Sequence, residues 1–427
     1  MKKGWKMLAA SVFAGTLILS GCSSKTEEKT TGKSTDSKQE EVTLSMGSWR
    51  TEDTEAYKTV IAEFNKKYPN IHIEFKPSKN TEYNTLLNTA LQSGEGPDLI
   101  HLRPYGSGIS LGDEGFLEPL NGLKGLDTFD KELLQASQSK DGKQYGVPLN
   151  ISTTQIFYNK AIFKKYNLDV PKTWDEFIKV ADTLKSKKVT PIAYGTKESW
   201  LLSLLHGMVG PGQFGGQATI DDLVSGKKQL NDPSIVKSFE VLKDLDKYFP
   251  ENSQGLGMDD IRTLFATEQA AMLPMGSWEI QQIRSLNPDL DFGFFPIPSA
   301  TGGKPTVTRW VDGSYALNAK SKHKEEAKKF LEFMTTKEFG NKFANEFKMI
   351  SAVPGVSSDD KLVDSLTKAA NSDAVPYFWL VNFALGEPST KGTLETELQG
   401  MYLDKTTPAD VAAKVKASAD TWFKPQN

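Results

Sequence analysis

Four short groupings of aromatic and charged side chains are the candidates for chemistry: Trp49 with Arg50, Asp98 with Arg103 and Tyr105, Trp278 with Glu279, and Trp310 with Asp312. Indole and phenol faces pack on flat C–H surfaces, while carboxylates and guanidinium groups bond to hydroxyls. Together they suit a polyhydroxylated ligand. Each tryptophan taken alone also reads as core, but four such groupings at expected strand ends or loops are harder to place there. Trp200 and Trp379 are further candidates that read equally as core. Arg309 reads as a site residue or as part of a hinge.

Patterns for catalysis are sparse. Gly108-Ile-Ser110-Leu-Gly112 has the spelling of a nucleophile elbow, which must sit on a sharp strand-to-helix turn. Here it is expected in a loop past the third strand, with no acid-then-histidine order behind it. His72, His101, His206 and His323 are scattered, without metal-ligand spacing, and there is no Walker loop. No metal or cofactor is expected. Paired carboxylates for glycoside cleavage stay open, since 54 acidic residues offer many pairs.

The elements that must hold these groups follow from periodicity. Val42–Met46 reads as a strand running into a loop at Gly47–Arg50. Ala56, Tyr57, Val60, Ile61, Phe64 and Tyr68 recur at helical spacing, with Lys66 and Lys67 suiting the last turn. Ile71–Phe75 alternates as a strand, Thr81–Leu91 is helical, and Asp98–Leu102 is a third strand. Such alternation implies a parallel sheet wound with helices, whose ligands bind at the carboxyl ends of the strands. Asp141-Gly142 is a turn; Val147–Leu149 is then extended, and Thr154–Tyr158 is a separate apolar strand. Thr173-Trp-Asp-Glu176 is a capping box, which makes Trp174 a packing residue of that helix's first turn. Gly207–Gly216 is glycine-rich and expected as a loop. Glu268–Leu273 is a strand ending in Pro274–Glu279, where a helix starts.

A chain of 427 residues suits two or three domains, and 38% apolar with 25% charged residues suits a soluble body. The net charge of −3 leaves no basic footprint for nucleic acid. Lys2, Lys3 and Lys6 followed by an apolar run from Met7 to Leu19 read as a signal peptide over 1–21. It ends Leu19-Ser20-Gly21-Cys22, a lipobox in form, and Cys22 is the single cysteine. A chance cysteine after an ordinary leader is the alternative; lipidation of Cys22 explains its position, and multiple acyl chains anchor stably. Residues 22–41 lack large apolar side chains and read as a lipid-anchored, flexible tether at the extracytoplasmic face.

Several words, in order, resemble one family. They are Gly146-Val-Pro with Tyr158-Asn-Lys160, Gly115-Phe-Leu-Glu-Pro-Leu120, Pro171 to Phe177, Gly276-Ser-Trp278 between strand and helix, Arg309–Leu317, Ala327–Met334 and Ala352-Val-Pro354. They resemble the extracellular solute-binding proteins of bacterial ABC importers that take carbohydrates. The resemblance covers about 42–427. It implies an α/β, two-lobed periplasmic-binding-protein-like fold with hinge segments and a cleft between the lobes. One lobe is expected over 42–150 plus 318–355, the other over 151–317 plus 356–427. It also implies a monomeric, non-enzymatic binder that captures a sugar or oligosaccharide and delivers it to permease subunits, with no nucleic-acid partner. Asp312 stands where the family commonly has glycine, which puts a carboxylate near the cleft. A surface-anchored glycan hydrolase and a ligand sensor for a membrane kinase are the alternative readings.

Overall fold

The computed structural model describes residues 40–372 and 374–425. The expected leader, Cys22 and the tether up to Gln39 lie outside the described residues. Ten strands form one branched sheet among the described residues: β1 (Val42–Ser48), β2 (Ile71–Pro77), β3 (Leu99–Leu102), β4 (Gly146–Asn159), β5 (Thr190–Ile192), β6 (Ala270–Gly276), β7 (Phe292–Phe295), β8 (Val307–Leu317), β9 (Ile350–Ser351) and β10 (Ala374–Pro376). Among the described residues no helix is long and apolar enough to cross a membrane.

β1 pairs in parallel with β2 and β3, with helices Thr54–Lys67 and Asn80–Ser93 as the crossovers. The first of these buries Tyr57, Val60 and Phe64, the stripe its spacing marks out. The Thr173–Glu176 capping box forms as expected, with Glu176 N–H donating to Thr173 Oγ1 and Thr173 N–H to Glu176 Oε2, both at 3.2 Å.

β4 and β8 are the long members and run antiparallel, from Gly146 opposite Ala316 to Thr154 opposite Thr308. β4 is one unbroken strand, although its sequence suggests two; burial on both faces removes the polar alternation that would mark a half-exposed strand. The early half of β4 and the late half of β8 join β3 and β9. The late half of β4 joins β6 and β7, and the early half of β8 joins β10. Ser314–Leu317 of β8 pair with β3, so this strand passes from one group to the other near Asp312.

Between the groups the ladder slips: Asn150 faces Gly313 and Ile151 faces Val311, leaving Asp312 without an opposite residue. Such a bulge re-aims side chains.

Two glycine-bearing segments expected as loops are helical. Gly106–Asp113 contains Ser110 in mid-helix, and Ser199–Phe214 runs through Gly207, Gly210, Pro211 and Gly212. Glycine is a poor helix former, but here it permits close packing. A Cβ on Gly112 would lie 2.2 Å from the Tyr145 ring, and one on Gly207 would lie 2.4 Å from the Tyr377 ring. Strand β6 likewise extends past Leu273 through Pro274 to Gly276.

Candidate ligand site at the crossing of the two long strands

Trp49 follows β1 and is enclosed on both faces. The His101 ring, in β3, stacks 3.5 Å away at 15°, and the Arg103 guanidinium carbon sits 4.0 Å from the Trp49 centroid on a neighbouring turn of chain. Tyr83 meets the Trp49 edge at 5.6 Å. His101 itself stacks on Tyr315 of β8. Gly313 makes this approach possible, because a Cβ there would lie 2.4 Å from His101 Nε2 and 2.9 Å from Trp49. Ser48 Oγ accepts from the Arg50 N–H at 3.1 Å and shares a hydrogen bond with His101 Nδ1 at 2.9 Å, which fixes the ring's orientation. Burial, with the nearby Arg50 and Arg103 cations, holds the His101 pKa well below its ordinary value.

Arg50 is buried and forked onto Asp53, at 2.6 and 3.1 Å, with Glu52 at 3.3 Å. Burial raises the Asp53 carboxyl while Arg50 opposes the rise. Among the described residues Arg103 makes no such ion pair. Its Nε donates to Asn84 Oδ1 at 3.2 Å and its Nη2 to Asn80 O and Oδ1, while its Nη1 hydrogens have no partner among the described residues. Burial lowers its pKa to about 10, with Asp312 the strongest influence upward. Tyr105 has φ +59, a costly backbone for a residue other than glycine, and its hydroxyl accepts the Val311 N–H at 3.3 Å.

From the other group of strands comes Trp310, flanked by Trp278 at 5.8 Å and Tyr377 at 5.2 Å. The Trp278 ring folds over Gly276, where any Cβ would strike it. Tyr377 is held from behind by Ser203, which also bonds to Glu395. Asp312, freed from the ladder, accepts from Ser152 Oγ and Trp310 Nε1, each at 3.0 Å. A carboxylate has about four lone-pair positions, so these bonds leave acceptor capacity for ligand hydroxyls. Asp312 acts electrostatically on both Arg50 and Arg103.

Trp49, Arg50, Arg103, Tyr105, Trp278, Trp310 and Asp312 therefore come together around the strand crossing. Glu279 is at its margin: it feels the Arg50 and Glu52 charges, but its carboxylate is 1% exposed and bonded to Arg262 at 2.5 and 3.2 Å. Two others lie elsewhere. Asp98 precedes β3, at the opposite end from the carboxyl termini, and bonds to Ser45 and Ser321. Burial would raise its pKa, but these hydrogen bonds outweigh it and hold the carboxyl below its ordinary range. Trp379 is fully buried, donating from Nε1 to His206 Nδ1 at 2.7 Å. Ser110 donates to Gly106 O inside its helix, so the elbow spelling is not an elbow.

Sequence reasoning missed His101, Tyr83, Asp53, Ser152, Tyr377 and Arg262. Tyr377 lies two residues from the tryptophan chosen in its place. Tyr83 shares helical spacing with Leu87 and Leu91 and so reads as core.

The sequence pattern of the family described as bacterial extracellular solute-binding protein matches residues 47–340. The chain belongs to this family. The multiple sugar-binding protein of Streptococcus mutans is 31% identical over 360 residues, covering 82% of this chain and 84% of that one. The arabinooligosaccharide-binding protein of Bacillus subtilis is 31% identical over 346 residues, covering 77% and 75%. Among solved structures, a chitin oligosaccharide binding protein superposes with TM-score 0.77 at 26% identity, covering 89% of this chain and 98% of that one. RafE in complex with raffinose shares the fold, with TM-score 0.75 at 23% identity, covering 88% and 99%. The fold is the two-lobed α/β fold of solute-binding proteins, and its family places the protein outside the cytoplasm.

Proposed function

We propose that this protein captures a sugar or oligosaccharide between two lobes and hands it to the permease of an ABC importer, without altering it. The observation that carries the reading is the cluster of Trp278, Trp310, Asp312, Arg50 and Arg103 at the crossing of β4 and β8, built from both strand groups. The crossing is the hinge, with residues 42–150 plus 314–355 on one side and 151–313 plus 356–427 on the other. A ligand touching both sides binds the closed arrangement better and so shifts the population toward it. Cys22 carries the lipid anchor, residues 1–21 are the cleaved leader, and the protein works as a monomer at the outer face of the cell membrane.

The test is intrinsic tryptophan fluorescence and thermal melting of the mature chain with mono-, di- and oligosaccharides. A hundred-fold excess over Kd stabilises by about 2.7 kcal/mol. A saturable shift with the sugar recovered intact supports capture. Sugar breakdown points to a hydrolase, and no shift with any sugar sinks the carbohydrate reading.

A further inference from the structure

Beyond Arg103 the cleft continues as a groove of about 500 Å³. Its floor is helices Asn80–Ser93 and Gly106–Asp113, and its roof is the segment 384–389, which precedes helix Thr390–Tyr402. We propose that this groove is a binding region for the outer rings of a neutral oligosaccharide whose inner ring sits against Trp310 and Asp312, so that the ligand is a trisaccharide or longer. The inference rests on the sugar-capture reading and adds chain length and charge to it.

Three observations carry it. The first is the lining. Asn88, Gln92 and Ser107 line the groove from exposed positions, and their side chains have no hydrogen-bond partner among the described residues. Beside them are Leu87, Phe116 and Pro388. Free amides and a hydroxyl next to apolar surface match the two faces of a sugar ring, and the volume falls within the range of small-ligand sites.

The second is the junction. Arg103 lines the groove, stacks on Trp49 and acts on Asp312, so it belongs to both regions. Asn80 and Asn84 hold its Nε and Nη2 in place, and the Nη1 hydrogens are donors where an inner ring would join the next one. Glu114 and Glu387 also line the groove, which disfavours an anionic chain there.

The third is the roof. Gly106 is where roof and floor meet: a Cβ on it would lie 2.8 Å from Ala384 O and 2.9 Å from the Leu385 side chain. A ring in the groove therefore touches both sides of the cleft, and added length strengthens closure as well as contact.

Calorimetry on the mature chain tests this with two graded series, melibiose, raffinose and stachyose, and arabinobiose to arabinotetraose. In the series that binds, Kd should fall at least tenfold from the disaccharide to the tetrasaccharide. Asn88→Trp and Ser107→Trp fill the groove from exposed positions and should bring that ratio to about one. Melting without sugar verifies their folding, and the double variant Asn88→Ala/Gln92→Ala, which only removes hydrogen bonds, should cut the ratio about threefold. A disaccharide bound as tightly as the tetrasaccharide, or a length gain that survives groove filling, overturns the groove and leaves sugar capture standing. Binding of neither series overturns the groove, and sugar capture falls with it only if no mono-, di- or oligosaccharide shifts the melting.

Discussion

Arg103 covers one face of Trp49 at 4.0 Å while His101 covers the other at 3.5 Å. Trp49 is thus a fixed support that holds Arg103 toward the ligand, and the exposed work falls to the guanidinium. Replacing Arg103 with Ala removes a cation–π contact that contributes about 0.5–2 kcal/mol. Urea unfolding should show a loss of that size, and the tryptophan emission should change without ligand. Arg103→Lys should not restore ligand affinity, because an ammonium lacks the fork that reaches Asn80 and Asn84.

Asp312 has both oxygens engaged, one by Ser152 and one by Trp310. In Asp312→Asn one of those donors meets an NH2 group instead of an oxygen. The expected outcome is a stability loss of about 1 kcal/mol and a sugar Kd weakened at least about tenfold, since bonds to a charged acceptor contribute about 1.5–3 kcal/mol. A Kd within twofold of the parent in calorimetry would remove Asp312 from the site.

Glu279 and Arg262 form a second, largely buried ion pair beside the cleft, next to that of Arg50 and Asp53. Glu279→Gln leaves the guanidinium with Asp259, which is exposed, as its one carboxylate partner among the described residues. Breaking such a pair costs about 3–5 kcal/mol. Chemical denaturation should register it as a shift of midpoint with the slope unchanged.

Gly207→Ala would ordinarily stabilise a helix by about 0.8–1 kcal/mol. Here the new methyl meets the Tyr377 ring, which backs Trp310. Overpacking of this kind costs about 1–3 kcal/mol, so the net sign should be destabilising, with sugar affinity falling as Tyr377 moves. A more stable variant with the parent Kd would disprove the coupling.

His206 gives the protein an acid sensitivity. Its Nδ1 accepts from Trp379, its Nε2–H donates to Ser238 Oγ at 2.8 Å, and Ser238 in turn donates to Ile235 O. Burial lowers its pKa to about 3 from an ordinary value of 6.5. The unfolded chain therefore takes up a proton below pH 6.5 that the folded chain refuses until about pH 3. Stability should fall as pH drops through this window, with a slope approaching about 1.4 kcal/mol per pH unit from this residue. His206→Gln can accept from Trp379 and donate to Ser238 without titrating. Unfolding curves between pH 7 and pH 5 should be flatter for it by about that slope at the acid end.

Local elements were legible where local physics decides them. The stripe of Tyr57, Val60 and Phe64, the Thr173–Glu176 box and the strand–Gly276-Ser-Trp278–helix word all appear where their patterns put them. Helices through Gly106–Asp113 and Gly207–Gly212 were not legible, because their glycines answer to rings distant in sequence, Tyr145 and Tyr377.

By itself the sequence determined the solute-binding architecture, the parallel winding of β1 to β3, and the choice of aromatic and charged residues for a polyhydroxylated ligand. Tertiary structure decided which of those residues meet. Trp310 and Trp379 have the same side chain, yet one borders the crossing and the other is sealed against His206. Asp312 and Asp98 differ likewise, because a bulge releases the first from its ladder while the second caps the far end of β3. A residue's type sets what it can bond to; its partners are set by chain that returns from hundreds of residues away, and no local pattern carries that distance.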